Sequence, residues 1–175
     1  MDPKDKRPAK WPELDAEGML RRLTEAGVDF VVIGGIAMLL HGSARLTRDL
    51  DIVFAPDDGN LEALAGVLVG LKAELREITD DVPFIPDSQT LRNVHLLTLD
   101  TAAGWLDVHR DVDGAPRYDV LRRHAERMEL GGFSVLVASP DDMIAMKLAA
   151  GRPVDLIDVD ELQAIKRLRR RISPP

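Results

Sequence analysis

Two carboxylates, Asp49 and Asp51, stand one residue apart in "TRDLDIVF", at the head of an otherwise apolar run. In an extended chain they share one face while Leu50 and Ile52 take the other. Such a pair repels itself unless it is solvated or bound to a cation, and a hard divalent ion matches its oxygen donors. The plainer reading makes both acids turn and strand-start residues. A third acid lies in "GWLDVHRDV", where Trp105, Asp107 and His109 share a face and Leu106 and Val108 share the opposite one. If this strand lies beside the Leu50–Phe54 strand, Asp107 completes a three-carboxylate site. Three carboxylates can hold two divalent ions about 4 Å apart, one activating an attacking oxygen and the other steadying a phosphate and its leaving group. Gly34 and Gly35 supply the matching phosphate element: glycine permits close approach to backbone N–H groups, and the following helix offers its positive end.

These residues need strands and helices in a definite order. Residues 13–26 read as an amphipathic helix, "VDFVVIGG" as a buried strand, "IAMLLHG" as a helix ended near His41 and Gly42, and Leu50–Phe54 as a strand. Residues 56–75 read as a helix, 78–93 as a loop able to carry a short strand, and "VHLLTLD" and "GWLDVHRDV" as a hairpin joined by "TAA". Residues 118–128 read as a helix and "FSVLVAS" as a strand. Ser139 then caps a helix with Pro140 at its first position and Gly151 as its stop, and a closing helix runs over about 155–170. The mixture of elements predicts an α/β (α+β) fold. Its expected layout is a loose arm over 1–12, a core over 13–138, a helical segment over 139–171 packed on that core, and a tail over 172–175.

The 175-residue chain carries a formal net charge of −7, which opposes broad nonspecific affinity for nucleic acid but leaves a local basic patch open. "KRLRRR" at Lys166–Arg171 reads either as a charged helix end or as such a patch. The absence of cysteine excludes disulfides and thiolate chemistry. No apolar run reaches the roughly 18 residues of a membrane span, so the expected setting is cytoplasmic. The glycines fit neither a dinucleotide fingerprint nor a P-loop, and His41, His95 and His124 lack zinc-type spacing.

The order Gly34, Gly35, Ser43, Arg45, Thr47, Asp49, Asp51 and Asp107 resembles the nucleotidyltransferase superfamily that includes DNA polymerase beta, and more closely its small bacterial toxin-like branch of the AbiEii type. The segment "DDMIAMKLAAGRPVDLIDVDEL" is similar to the part of that branch in which a lysine is followed by an arginine and two acids, placing Lys147, Arg152, Asp155 and Asp158 there. The resemblance implies a twisted mixed sheet flanked by helices, with a short helical C-terminal segment. It implies a Mg²⁺-dependent transfer of a nucleoside monophosphate from a nucleoside triphosphate, with Mn²⁺ as an alternative ion.

Under it Asp49, Asp51 and Asp107 are metal ligands and, with Lys147, catalytic residues. Gly34, Gly35, Ser43, Arg45, Thr47, Arg152 and Asp158 are the implied substrate-binding residues. The acceptor is not named by these residues; RNA, including tRNA, is one candidate class, and an antitoxin is a candidate partner. The second position of the nucleotide-binding turn is often serine in the superfamily and is Gly35 here, which removes a hydroxyl contact to phosphate.

Each flanking residue also has a structural reading. Lys147 suits a helix C-terminus, Arg152 can simply pair with Asp155, and Asp155 and Asp158 can occupy the first turn of the last helix. Ser43 and Thr47 can be turn formers, Arg45 and Arg48 solvated loop residues, and His109 a hydrogen-bonded structural histidine. A noncatalytic nucleotide-binding or protein-interaction module on the same fold is the competing functional class.

Overall fold

The computed structural model describes residues 13–76 and 84–172. The expected arm over 1–12, positions 78–83 of the expected loop and positions 173–175 of the expected tail lie outside them. Seven strands form one mixed sheet: β1 (Phe30–Ile33), β2 (Asp49–Phe54), β3 (Glu74–Leu75), β4 (Leu96–Thr101), β5 (Gly104–His109), β6 (Glu126–Leu130) and β7 (Phe133–Val137). They are ordered β3-β4-β5-β2-β1-β7-β6. The β2/β5 and β1/β7 pairs are parallel and the others antiparallel. Seven helices accompany them among the described residues: α1 (Ala16–Glu25), α2 (Gly34–His41), α3 (Asp58–Gly70), α4 (Ser88–Asn93), α5 (Tyr118–His124), α6 (Pro140–Ala150) and α7 (Pro153–Ile172). This is the α/β (α+β) architecture expected. None of these helices is long and apolar enough to cross a membrane.

The centre of the sheet follows from alternation. Leu50, Ile52, Leu106 and Val108 are fully buried, whereas Asp49, Asp51, Trp105, Asp107 and His109 on the intervening positions are half-buried. Burying each aliphatic side chain is worth about 1.5–3 kcal/mol, so the β2/β5 pair keeps its register although its other face gathers like charges. The ends of the helices are equally local in origin. Asp15 caps α1 through Gly18, Asp57 caps α3 through Asn60, and Ser139 caps α6 through Asp142, where Pro140 opens the helix and Gly151 ends it in the left-handed region at φ +65°.

Three elements differ from expectation. The helix read over 118–128 stops at His124, and Glu126–Leu130 is a strand. Its odd positions are exposed and its even ones half-buried, and the Gly131-Gly132 turn folds it back onto β7. The helix read over 56–75 covers Asp58–Gly70; Lys72 then turns at φ +53° and Glu74–Leu75 joins the sheet edge beside β4. Within the stretch read as loop, Asp87 accepts from Thr90 N and starts α4, which packs against α3.

Candidate active site

A cleft of about 700 Å³ opens where β1 passes into α2. Gly34 and Gly35 line it, and each needs to be glycine for a reason visible in the packing. A Cβ on Gly34, whose φ is +66°, would stand 2.3 Å from Asp51 Oδ2; a Cβ on Gly35 would stand 2.3 Å from Thr47 Oγ1. The acid strand and the Ser43–Arg48 segment therefore close directly onto the start of α2. Among the described residues no side chain caps that start, which leaves hydrogen-bonding capacity on its first N–H groups beside the cleft. Residue 35 lacks a hydroxyl, but Thr47 places one against the same backbone.

The acids form one wall. Asp51 and Asp107 are register partners on parallel neighbouring strands, Asp49 precedes Asp51 on the same face, and all three line the cleft. Each is engaged by a neighbour. Thr47 Oγ1 approaches Asp49 Oδ1 at 3.3 Å, His109 Nε2 stands 3.1 Å from Asp51 Oδ1, and the Arg76 guanidinium pairs with Asp107 Oδ1. The same Arg76 lies over the Trp105 ring, 4.6 Å from its centroid. Among the described residues, no three carboxylate or imidazole groups stand together as a preassembled metal cage.

Burial, reinforced by Asp51 and opposed by Arg76, pushes the Asp107 carboxyl up to about 6. A folded value above the ordinary 3.8 means that its stabilising contribution is complete below that pH and is lost as pH rises through about 6. Thermal melts of the metal-free protein from about pH 4 to about pH 7 are expected to contain a falling component that Asp107→Asn lacks. Parallel profiles for the two proteins would contradict this assignment.

Cations form the other group, supplied by the C-terminal third. Lys147, on the last turn of α6, lies 3.2 Å from Asp155 Oδ1 and 2.7 Å from Asp158 Oδ2, both on α7 and both essentially inaccessible. Arg152, in the α6–α7 junction, donates to Asp155 through Nε at 2.7 Å and Nη2 at 3.1 Å. Arg152's hydrogen bonds, against the penalty of burial and with help from Lys147, hold Asp155 down at about 2. Burial alone would raise Asp158, but hydrogen bonds from Arg45 and Lys147 bring it below the ordinary carboxylate value. Arg45 reaches Asp158 at 2.5 Å from a position 113 residues earlier.

The cleft thus brings together Gly34, Gly35, Arg45, Thr47, Asp49, Asp51, Asp107, Lys147 and Arg152. Ser43 and Asp158 do not line it. Ser43 is buried and its Oγ accepts from Arg45 N, bracing the turn, while Asp158 lies behind the wall between Arg45 and Lys147. Arg76 was absent from the sequence-derived set because nothing in "AELREI" distinguishes it from a helix-surface arginine. Its place beside Asp107 depends on the Arg76 N to Thr98 O bond and on the pairing of Thr98 with Asp107.

Residues 19–170 match the family described as "Nucleotidyl transferase AbiEii toxin, Type IV TA system". Comparison with curated proteins finds no match. Among solved structures, the lincosamide antibiotic adenylyltransferase LnuA in its lincomycin-bound form is similar at 16% identity and a TM-score of 0.57, over 87% of this chain and 99% of that one. The antibiotic-resistance factor ANT(2'')-Ia, in complex with adenylyl-2''-tobramycin, is similar at 14% identity and a TM-score of 0.51, over 90% of this chain and 96% of that one. At such identities the likeness is one of fold.

Proposed function

The chain belongs to the AbiEii nucleotidyl transferase family, and from that premise we propose that it transfers a nucleoside monophosphate from a nucleoside triphosphate to an acceptor hydroxyl. The observation that carries this reading is the in-register Asp51/Asp107 pair, with Asp49 on the same face, in one cleft with the glycine mouth of α2, Lys147 and Arg152. The donor set is all oxygen, which fits Mg²⁺ and, as an alternative, Mn²⁺. Asp49, Asp51 and Asp107 would hold the ion, which when bound would activate the attacking oxygen and offset charge on the phosphate.

The chain's own groups divide the remaining work. The first N–H groups of α2 and the Thr47 hydroxyl receive phosphate oxygens. An ammonium has three donors and the α7 acids take two of Lys147's, which leaves one to offer a phosphate oxygen. Arg152 and Arg45 add positive charge at the rim, and Ser43 and Asp158 hold Arg45 in place. Asp107, in register with Asp51 on the same face, would also take up the hydroxyl proton of the acceptor. The acceptor oxygen bonds to the α-phosphorus, the α–β bridge breaks, and pyrophosphate leaves.

RNA, with tRNA foremost, is the acceptor class to test first, and the family's toxin–antitoxin description makes an antitoxin the proposed protein partner. The similar structures carry lincomycin and an adenylylated aminoglycoside, so small hydroxylated antibiotics form the second class. Each α-labelled triphosphate is incubated with Mg²⁺ and, separately, tRNA, total RNA or these compounds. The expected result is label on one acceptor class with release of pyrophosphate. Nucleotide binding without transfer to any of them would favour the noncatalytic module.

A further inference from the structure

The proposed cation ligands are not idle in this structure, because Asp107 already has a positive partner. Arg76 reaches it across β4: its backbone N is tied to Thr98 O at 2.9 Å, and Thr98 is the register partner of Asp107. From that tether its guanidinium pairs with Asp107 Oδ1 and lies over Trp105, which shares the Asp107 face. The arrangement is not a complete socket. Arg76 Nε is the one buried side-chain polar atom among the described residues with no hydrogen-bond partner, and an unmade buried bond weighs against the conformation that leaves it so. The aromatic face is a second resting place for the guanidinium that does not require Asp107.

Charge supplies the reason for such a residue. Asp49, Asp51 and Asp107 crowd one face, and three of the cations that line the cleft, Lys147, Arg152 and Arg45, pair with Asp155 and Asp158 on α7. Asp51, Asp49, Arg76 and His109 act on Asp107, and of these four Arg76 is the permanent positive charge.

We propose that Arg76 is a built-in counter-ion of the acid wall, holding Asp107 while no divalent cation is bound and yielding it, along the Trp105 face, when one binds. Arg76 is thereby a positioning residue that sets how readily the site accepts its cation. This rests on the reading of Asp107 as a cation ligand. A neutral side chain at position 76 leaves the acids less compensated and removes a competitor, so the site should take a divalent cation more tightly.

The test is direct Mn²⁺ binding to the full chain, read by the loss of the free-ion electron paramagnetic resonance signal, with circular dichroism to confirm folding. Arg76→Gln and Arg76→Met remove the charge, and the methionine keeps an apolar stem over Trp105. Arg76→Lys keeps the charge, and Asp107→Asn removes the ligand. The expected result is a Kd about tenfold lower or more in the two neutral variants, because one unit charge near the site is removed, with Arg76→Lys close to wild type.

Folded neutral variants that bind no more tightly than wild type overturn the counter-ion role, and so does failure of both neutral variants to fold, which would make Arg76 a structural residue. If those variants fail to tighten while Asp107→Asn weakens binding, the ligand reading stands and only the Arg76 role falls. If Asp107→Asn leaves binding unchanged, both fall.

Discussion

Asp51→Asn is expected to lower nucleotidyl transfer by about a thousandfold, the scale on which groups that stabilise transition-state charge act, without lowering the melting temperature of the metal-free protein. The amide is nearly isosteric with the carboxylate, so it fits the space against Gly34 and can still meet His109 Nε2. What it lacks is the negative charge beside Asp107, its register partner. The same substitution therefore removes a proposed cation ligand and relieves repulsion, and the two consequences have opposite signs. Steady-state kinetics with saturating triphosphate, beside thermal melts with and without Mg²⁺, reads both. Activity within about tenfold of wild type would contradict a role for Asp51 in transition-state charge stabilisation.

Asp158→Ala should produce a large loss of stability. Its carboxylate is about 1% exposed and joins Lys147 on α6 to Arg45 in the loop before β2. Arg45 is partly exposed and can turn to water, but the Lys147 side chain is only 14% exposed. Removing one partner of a buried pair costs about 3–5 kcal/mol when the other charge is left stranded. Lys147 keeps Asp155 Oδ1 at 3.2 Å, so the loss should sit at or below the lower end of that range, and for a chain of this size the melting temperature should fall by at most roughly 6–12 °C. Replacing the pair together, Lys147→Met with Asp158→Leu, should recover most of the loss. A single variant that melts like wild type would show that Asp155 alone satisfies Lys147.

What the sequence could disclose follows from the range over which each signal acts. The alternation in "DLDIVF" and "WLDVH" is written in adjacent residues, so the acid faces could be read before any pairing was known. The capped start and glycine stop of α6 are equally local. By contrast, "ERMEL" contains residues that favour helices as readily as they occupy an edge, and it is a strand because the Gly131-Gly132 turn delivers it to β7. Gly35 announced a missing hydroxyl, while the approach of the Thr47 hydroxyl to the same backbone becomes visible only when the loop closes on α2. Arg76 illustrates the limit most clearly. Its partner lies 31 residues away, and the strand that delivers Arg76 to the sheet edge has only two residues, too few to show any period.

The clasp between Arg45 and Asp158 also imposes a timetable. Arg45 leaves the ribosome early, with the glycines and the first two acids, whereas its partner is made 113 residues later. At elongation rates of about 5–20 residues per second, that interval lasts on the order of 5–20 seconds. For most of it the nascent chain can pair β1 with β2 but has no α7 to hold Arg45, nor the Lys147 ammonium that shares its partner. The cleft is therefore among the last parts of the molecule to be completed, and an unfinished chain carries the glycines and the first acids without the Lys147 and Arg152 that line the cleft with them.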